Sequence, residues 1–385
     1  MTAPATGIVM LHSVGAPDPA WTWSHLTVPW RLFDRQLAVL RRFGYRSVFL
    51  DEYLDMARAG LIERERVVAL TFDDGYLDNW VYAAPLLERH GFVGTVFMTT
   101  DFIDPSPNPR PRFNPDRPGE TTLPRPGFLS WPEMRALEHS GVMRVESHAR
   151  THTWYPADPE IVDFRYPGDD YPWMDWNDAP DRKWAYLRAE ERPEVWGEPV
   201  YRHAKALEGP RYLPDPGLGM VLRAAVGRAG PEFFSRPGWR DDLFALVRAH
   251  GELLQGQYET RLEFLARAWA ELDDSRRILS EGLGREVRFL CWPGGGYDDE
   301  LFAAAAELYA GTSVASRHWS ARAGFDAQGC FRFRRIAPPG VETRSGYRYL
   351  EPSMLFLALE ETRGGGKLAR LARGARTVVA RRLAW

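Results

Sequence analysis

The feature that most constrains this chain is an alternation of short, continuously apolar segments with amphipathic ones from residue 7 to residue 152. Residues 7–11, 47–50, 67–72, 93–98 and 143–146 read as strands, and 67–72 is apolar on both faces. Leu32, Phe33, Leu37, Leu40 and Phe43 recur at helical spacing within 29–43, where Gly44 closes the helix, and further helices are expected over 77–90 and 131–139. Strands buried on both faces and joined through helices make a parallel sheet, open or closed into a barrel. The expected class is therefore α/β, a deformed (β/α) barrel, and in such folds reactive side chains come from the C-terminal ends of strands.

The rhythm breaks after His152. Residues 154 to about 255 carry Pro, Trp, Tyr and Asp clusters, with helical patches at 218–228 and 240–250. A long helix over 259–283 restores order, followed by a strand at 287–292, a Gly-rich turn, a helix at 299–310 and a strand at 312–315. We read one barrel domain over 1–362, interrupted by an insertion at 154–256, and a basic tail at 363–385. Composition sets the limits: 49 basic residues against 52 acidic ones give a formal charge of −3, which argues against nucleic acid as a partner. Cys291 and Cys330 are too few for a disulfide framework, and neither a signal peptide nor an apolar run of membrane-spanning length is visible, so a cytoplasmic location is expected.

Three segments carry chemistry, each at an expected strand end. Thr71-Phe72-Asp73-Asp74-Gly75-Tyr76 sets two carboxylates side by side, which repel unless one ligates a cation or stays protonated; alone it reads equally well as a turn in which Asp74 caps the next helix. Ser147-His148-Ala149-Arg150-Thr151-His152 spaces two imidazoles four apart, as on one face of a helical turn, and two histidines with a carboxylate are a usual ligand set for a catalytic divalent ion. In Cys291-Trp292-Pro293-Gly294-Gly295-Gly296-Tyr297-Asp298 the glycines are suited to a flexible turn or to a close backbone approach to an oxyanion.

Together these segments resemble the NodB-homology polysaccharide deacetylases, carbohydrate esterase family 4, over roughly residues 7–152 and 257–340. The opening strand, ending in Leu11-His12-Ser13-Val14, is similar to that of a circularly permuted subgroup acting on poly-N-acetylglucosamine. The resemblance implies that Asp74, His148 and His152 hold the metal, that Asp73 is the base and that His12 is the general acid. The implied metal is zinc, with cobalt, nickel, iron or manganese as alternatives, and the Gly294 N–H would help to hold the oxyanion. It implies removal of an N-acetyl group from a sugar of a surface polysaccharide or its lipid-linked precursor. A related amidohydrolase or deformylase on a smaller substrate, and an inactive glycan-binding protein of the same fold, are the alternative readings. Two departures stand out: Ala149 occupies a position that usually holds Ser or Thr, and Cys291 one that usually holds an Arg orienting the catalytic Asp. Arg334 or Arg335 is expected to replace that Arg.

Residues 154–201 hold 11 aromatics in 48 positions, which serve either as the insertion's core or as stacking surfaces for sugar rings. Tyr76, Trp154, Tyr155, Trp292, Pro293 and Tyr297 are the expected substrate contacts, and leaving the chain at His152 should hang the insertion over the metal rim. The tail has seven basic residues (Arg363, Lys367, Arg370, Arg373, Arg376, Arg381 and Arg382) and no acid, with Leu368, Leu371, Val378, Val379, Leu383 and Trp385 interspersed. That pattern suits either a solvated helix or a peripheral contact with anionic lipid.

Overall fold

The structure, a computed structural model, describes residues 7–19, 21–119, 123–124, 126–188, 195–315, 323–343, 346–363 and 366–382. Leu383 and Trp385 lie outside the described residues. The chain divides into two compact units, one comprising Met1–Arg150, Leu272–Gly295 and Ala304–Trp385, the other Thr151–Glu271 and Gly296–Ala303.

The first unit is built on a parallel sheet whose strand order follows the chain: β1 (Ile8–Leu11), β2 (Val67–Phe72), β3 (Gly94–Met98), β4 (Met143–Ser147), β5 (Phe289–Leu290), β6 (Gly311–Ser313) and β7 (Phe331–Phe333). Three residues beyond β7 the sheet returns to its start. Ile336 donates its N–H to Ile8 O (2.9 Å) and accepts at its own carbonyl from Met10 N–H (2.8 Å), so β1 is bonded on both edges. This closure is what turns an α/β sheet into a deformed barrel, as the apolar strands lead one to expect. Ile8, Val67, Ala69, Phe97, Phe289, Cys291, Phe331 and Phe333 join Leu50, Tyr53, Leu54 and Met56 in one buried cluster. Each large apolar side chain so placed contributes about 1.5–3 kcal/mol.

The connecting helices follow their sequence signals. α1 (Trp30–Arg42) buries Phe33, Gln36, Leu37 and Leu40 along one stripe. In α2 (Leu50–Arg58) Asp51 falls within the first turn and pairs with Arg144 and Arg288. The segment expected to be helical over 77–90 begins as a π turn (Asn79–Ala83) before α3 (Ala84–His90). α4 (Trp131–Ser140) starts where the Ser130 N–H donates to Glu133 Oε2 (2.8 Å) and stops at Gly141, whose φ of 69° a side chain would resist. α5 (Arg261–Leu283) precedes β5. Strand β5 is short, and the buried Glu146 carboxylate extends its anchoring by accepting from the backbone N–H of Arg288 (2.7 Å) and of Phe289 (2.9 Å).

The second unit contains an antiparallel hairpin, Trp154–Phe164 with Pro199–Lys205, and helices Pro216–Ala229 and Trp239–Ala249. Phe164, Leu218, Leu222, Val226, Phe233, Trp239, Leu243 and Val247 form a hydrophobic cluster of its own. Phe164, Trp176 and Tyr201 are buried, so part of the aromatic excess fills this unit, whereas Trp154, Tyr155, Tyr171 and Trp173 keep some exposed ring. A buried guanidinium, Arg165, is held by Asp169 and Asp175, which meets the requirement that a buried charge be paired.

Candidate active site

Parallel pairing brings the ends of β1, β2, β4 and β5 to one rim of the first unit. The ladder runs on past each strand: Asp73 N–H donates to Leu11 O (2.9 Å), His148 N–H to Met98 O (2.9 Å) and Cys291 N–H to Ser147 O (2.9 Å). His12, Asp73, Asp74, His148 and Cys291 therefore occupy successive strand ends, where catalytic groups of such folds are found.

Backbone strain is concentrated here. Asp74 (φ 71°), Ala149 (φ 59°) and His152 (φ 43°) are the non-glycine residues in the left-handed region among those described, each at a cost of about 1–2 kcal/mol. Asp74 thus turns the chain and does not cap a helix. Nor is 148–152 the helical turn that its spacing suggested: the segment is irregular, and left-handed kinks at Ala149 and His152 set the imidazoles. Gly75 follows Asp74 at φ 77°, and a Cβ there would stand 2.0 Å from Met98 Sδ. Gly75→Ala is expected to cost about 2–4 kcal/mol, combining left-handed strain with overpacking, read as a fall in the urea midpoint; an unchanged midpoint would show that Met98 yields freely.

Asp73 is held from both sides of its carboxylate. Arg335 donates to Oδ1 (2.5 Å) and Oδ2 (2.7 Å), and its guanidinium also reaches Thr71 Oγ1 (3.2 Å) and Cys291 Sγ (2.8 Å). Of the two arginines the sequence left open, Arg335 makes the bidentate fork that orients a carboxylate. Burial works to raise the Asp73 carboxyl, but the Arg335 charge and hydrogen bonds outweigh it and hold the group below the usual carboxylate range. His12 Nε2 lies 3.9 Å from Asp73 Oδ2. Burial lowers the His12 pKa against the opposing pull of Asp73 and Asp74.

Asp74 Oδ1 lies 3.2 Å from His148 Nε2, and His148 Nδ1 is 2.8 Å from the Cys291 carbonyl. A carbonyl only accepts, so Nδ1 carries a proton, and Nε2, on the Asp74 side, is the nitrogen placed to ligate a metal. His152 comes four residues later, among the first residues of the second unit. Within the first unit, one donor atom from each of Asp73, His148 and Cys291 lies within 4.8 Å of the others. That set suits a cation poorly: both Asp73 oxygens already accept from Arg335, and burial pushes the Cys291 thiol well up, keeping it protonated. The pair of Asp74 and His148 offers a carboxylate oxygen and an imidazole nitrogen, a donor chemistry that fits a divalent ion.

The remaining expected residues are placed differently. Gly294 lies in a tight turn at φ 55° beside the buried Trp292 and Pro293. Tyr76 is buried and stacked on Phe128. In the second unit Tyr297 is buried and stacked on Phe302, Trp154 meets His152, Trp173 and Trp176, and Tyr155 lies under Arg211 and Arg267. Sequence reasoning missed Asn79, whose amide donates to the His12 carbonyl (2.8 Å) and fixes the strand end that bears the imidazole. It also missed the Cys291 carbonyl, which as a backbone group leaves no sequence signal.

Residues 62–171 match the family model described as polysaccharide deacetylase. Over 151 residues the chain is 25% identical to a poly-beta-1,6-N-acetyl-D-glucosamine N-deacetylase of Escherichia coli (strain K12), covering 39% of this chain and 21% of the relative. It is 33% identical over 91 residues, 24% of this chain and 30% of the relative, to YxkH of Bacillus subtilis (strain 168). The chain thus spans about a fifth of the length of the first of these relatives and under a third of the second. A de-N-acetylase structure from Aggregatibacter actinomycetemcomitans superposes with a TM-score of 0.51 at 17% identity, covering 86% of this chain and 94% of that one, a likeness of fold. The segment 62–171, which contains Asp73, Asp74, His148 and His152, is thus the part of the chain that is similar to the polysaccharide deacetylase family.

Proposed function

We propose that the chain is a divalent-metal-dependent hydrolase that removes an N-acetyl group from a sugar of a surface polysaccharide or its lipid-linked precursor. The observation that carries this reading is the pairing, at adjacent strand ends, of an Arg335-clamped Asp73 with the Asp74–His148 ligand pair. The name of the Escherichia coli relative supports the choice of an N-acetylated glycan.

Asp74, His148 and His152 would hold the metal, which supplies Lewis-acid polarisation and an acidified water when bound. Asp73 takes the proton of the attacking water, and Arg335 keeps the carboxylate ionised and aimed. His12, with its carbonyl fixed by Asn79, delivers a proton to the departing nitrogen. The Gly294 N–H faces the developing oxyanion in this scheme. Trp154 and Tyr155, in the second unit, keep ring surface for a sugar, whereas Tyr76, Trp292, Pro293 and Tyr297 are buried.

Acetate release from N-acetylglucosamine oligomers, measured with and without a chelator, tests the reading. Activity should vanish on chelation and return with zinc, cobalt, nickel, iron or manganese. Asp74→Ala and His148→Ala should each weaken metal binding by about a hundredfold or more, since even residues behind the ligands change it by tens. Bound metal with no acetate from any N-acetylated glycan would leave the glycan-binding reading standing. Turnover of small amides alone would favour the amidohydrolase.

A further inference from the structure

The helix Gly366–Arg382 carries six basic residues and no acidic one, and three of its arginines pair with acids of the preceding segment. Arg370 and Arg373 donate to the two oxygens of Glu361 (3.0 and 2.7 Å), and Arg376 pairs with Glu351 and donates to Ser353 Oγ (2.7 Å). Ala380 packs against the cluster of Val341, Leu350 and Met354. On the other side Leu368, Leu371, Val378 and Val379 are 80%, 70%, 51% and 57% exposed. Their spacing of three, ten and eleven residues places all four on one stripe at 100° per residue, opposite Arg373, Thr377 and Ala380. Scattered exposed leucines are ordinary. A surface helix that turns its whole apolar stripe outward reverses the usual order.

We propose that this helix rests in the headgroup–acyl boundary of a bilayer containing anionic lipid, with Leu368, Leu371, Val378 and Val379 immersed. The stripe runs along about 16 Å of helix axis, and no helix among the described residues is long and apolar enough to cross a membrane, so the contact is parallel to the surface. Charge selects the occupant. The helix has six cations in its sequence and no acid, and the ion pairs described for it involve two acids, Glu361 and Glu351, so the surplus is positive. A second copy applied to the same stripe would bring a second cationic helix alongside, whereas an anionic headgroup layer attracts it.

The test is co-sedimentation of the full chain with phosphatidylcholine vesicles, with and without phosphatidylglycerol, beside light scattering of the chain alone. Binding should require phosphatidylglycerol, weaken with added salt and fall about tenfold or more in L368S/L371S. The substituted side chains face solvent, so circular dichroism, unfolding midpoint and acetate release from a water-soluble N-acetylated oligosaccharide should not change. Equal vesicle binding by the variant and the unaltered chain, or none by either, overturns the proposal. So does a dimer of the unaltered chain that the variant makes monomeric while vesicle binding is untouched, since a second copy then covers the stripe. Because the readout is lipid binding, failure here leaves the deacetylase reading intact, and the converse holds.

Discussion

Replacing Asp73 by Asn is expected to lower kcat by about a thousandfold while leaving the bound metal in place. The loss follows from chemistry: an amide of the same shape takes no proton from water, and a positioned general base is worth about 10²–10⁴ in rate. Retention of metal follows from geometry, because Asp73 spends both oxygens on Arg335 while Asp74 and His148 face one another at 3.2 Å. The variant also confronts the buried Arg335 with an amide NH2, leaving a guanidinium partly unpaired. A loss of up to about 3–5 kcal/mol in stability is therefore expected, and activity must be compared at temperatures where both proteins are folded. Metal content by mass spectrometry and acetate release separate the outcomes. Full activity removes Asp73 as the base. Loss of metal transfers the ion to the alternative set of Asp73, His148 and Cys291.

Much of this arrangement is legible in the sequence because the barrel's strands are short and apolar on both faces. The reading of 67–72 coincides with β2, and those of 93–98 and 143–146 differ from β3 and β4 by one residue at one end. Spacing was a poorer guide where the backbone leaves the regular regions. Between His148 and His152 the chain passes through left-handed backbone at Ala149 and at His152 itself, which no periodicity announces. Asp74 is the same case, since an Asp after a strand suits a cap and a left-handed turn alike. The choice between Arg334 and Arg335 was in fact available. Phe331 and Phe333 both enter the buried cluster, and strand alternation carries that face on to residue 335, leaving 332 and 334 on the other. What alternation leaves out is that the partner, Asp73, stands 262 residues earlier. The second unit gave least, because composition counts aromatics without saying which rings pack as Phe164 and Trp176 do.

The second large effect belongs to Arg335. Arg335→Ala should cost about 3–5 kcal/mol in stability, because it leaves a buried carboxylate without its counter-charge. At a temperature where the variant is folded, kcat should fall about a hundredfold or more, since the main group that holds the Asp73 carboxylate ionised against burial is then gone. Arg335→Lys is the informative comparison: it returns a charge but a single point of contact in place of the two-pronged fork. It should recover most of the lost stability and only part of the lost turnover, with metal content equal in all three proteins. The Cys291 thiol sharpens the assignment. It lies 2.8 Å from the guanidinium, yet burial keeps it protonated, so Cys291→Ala should leave turnover near that of the unaltered chain and cost only about 1 kcal/mol for the small cavity left in the buried cluster. A Cys291→Ala variant as impaired as Arg335→Ala would mean that the thiol, not the Arg335–Asp73 fork, organises the rim. An Arg335→Ala variant with unaltered turnover would show that Asp73 needs no orienting cation, and that the position vacated by the family's Arg has been left unfilled.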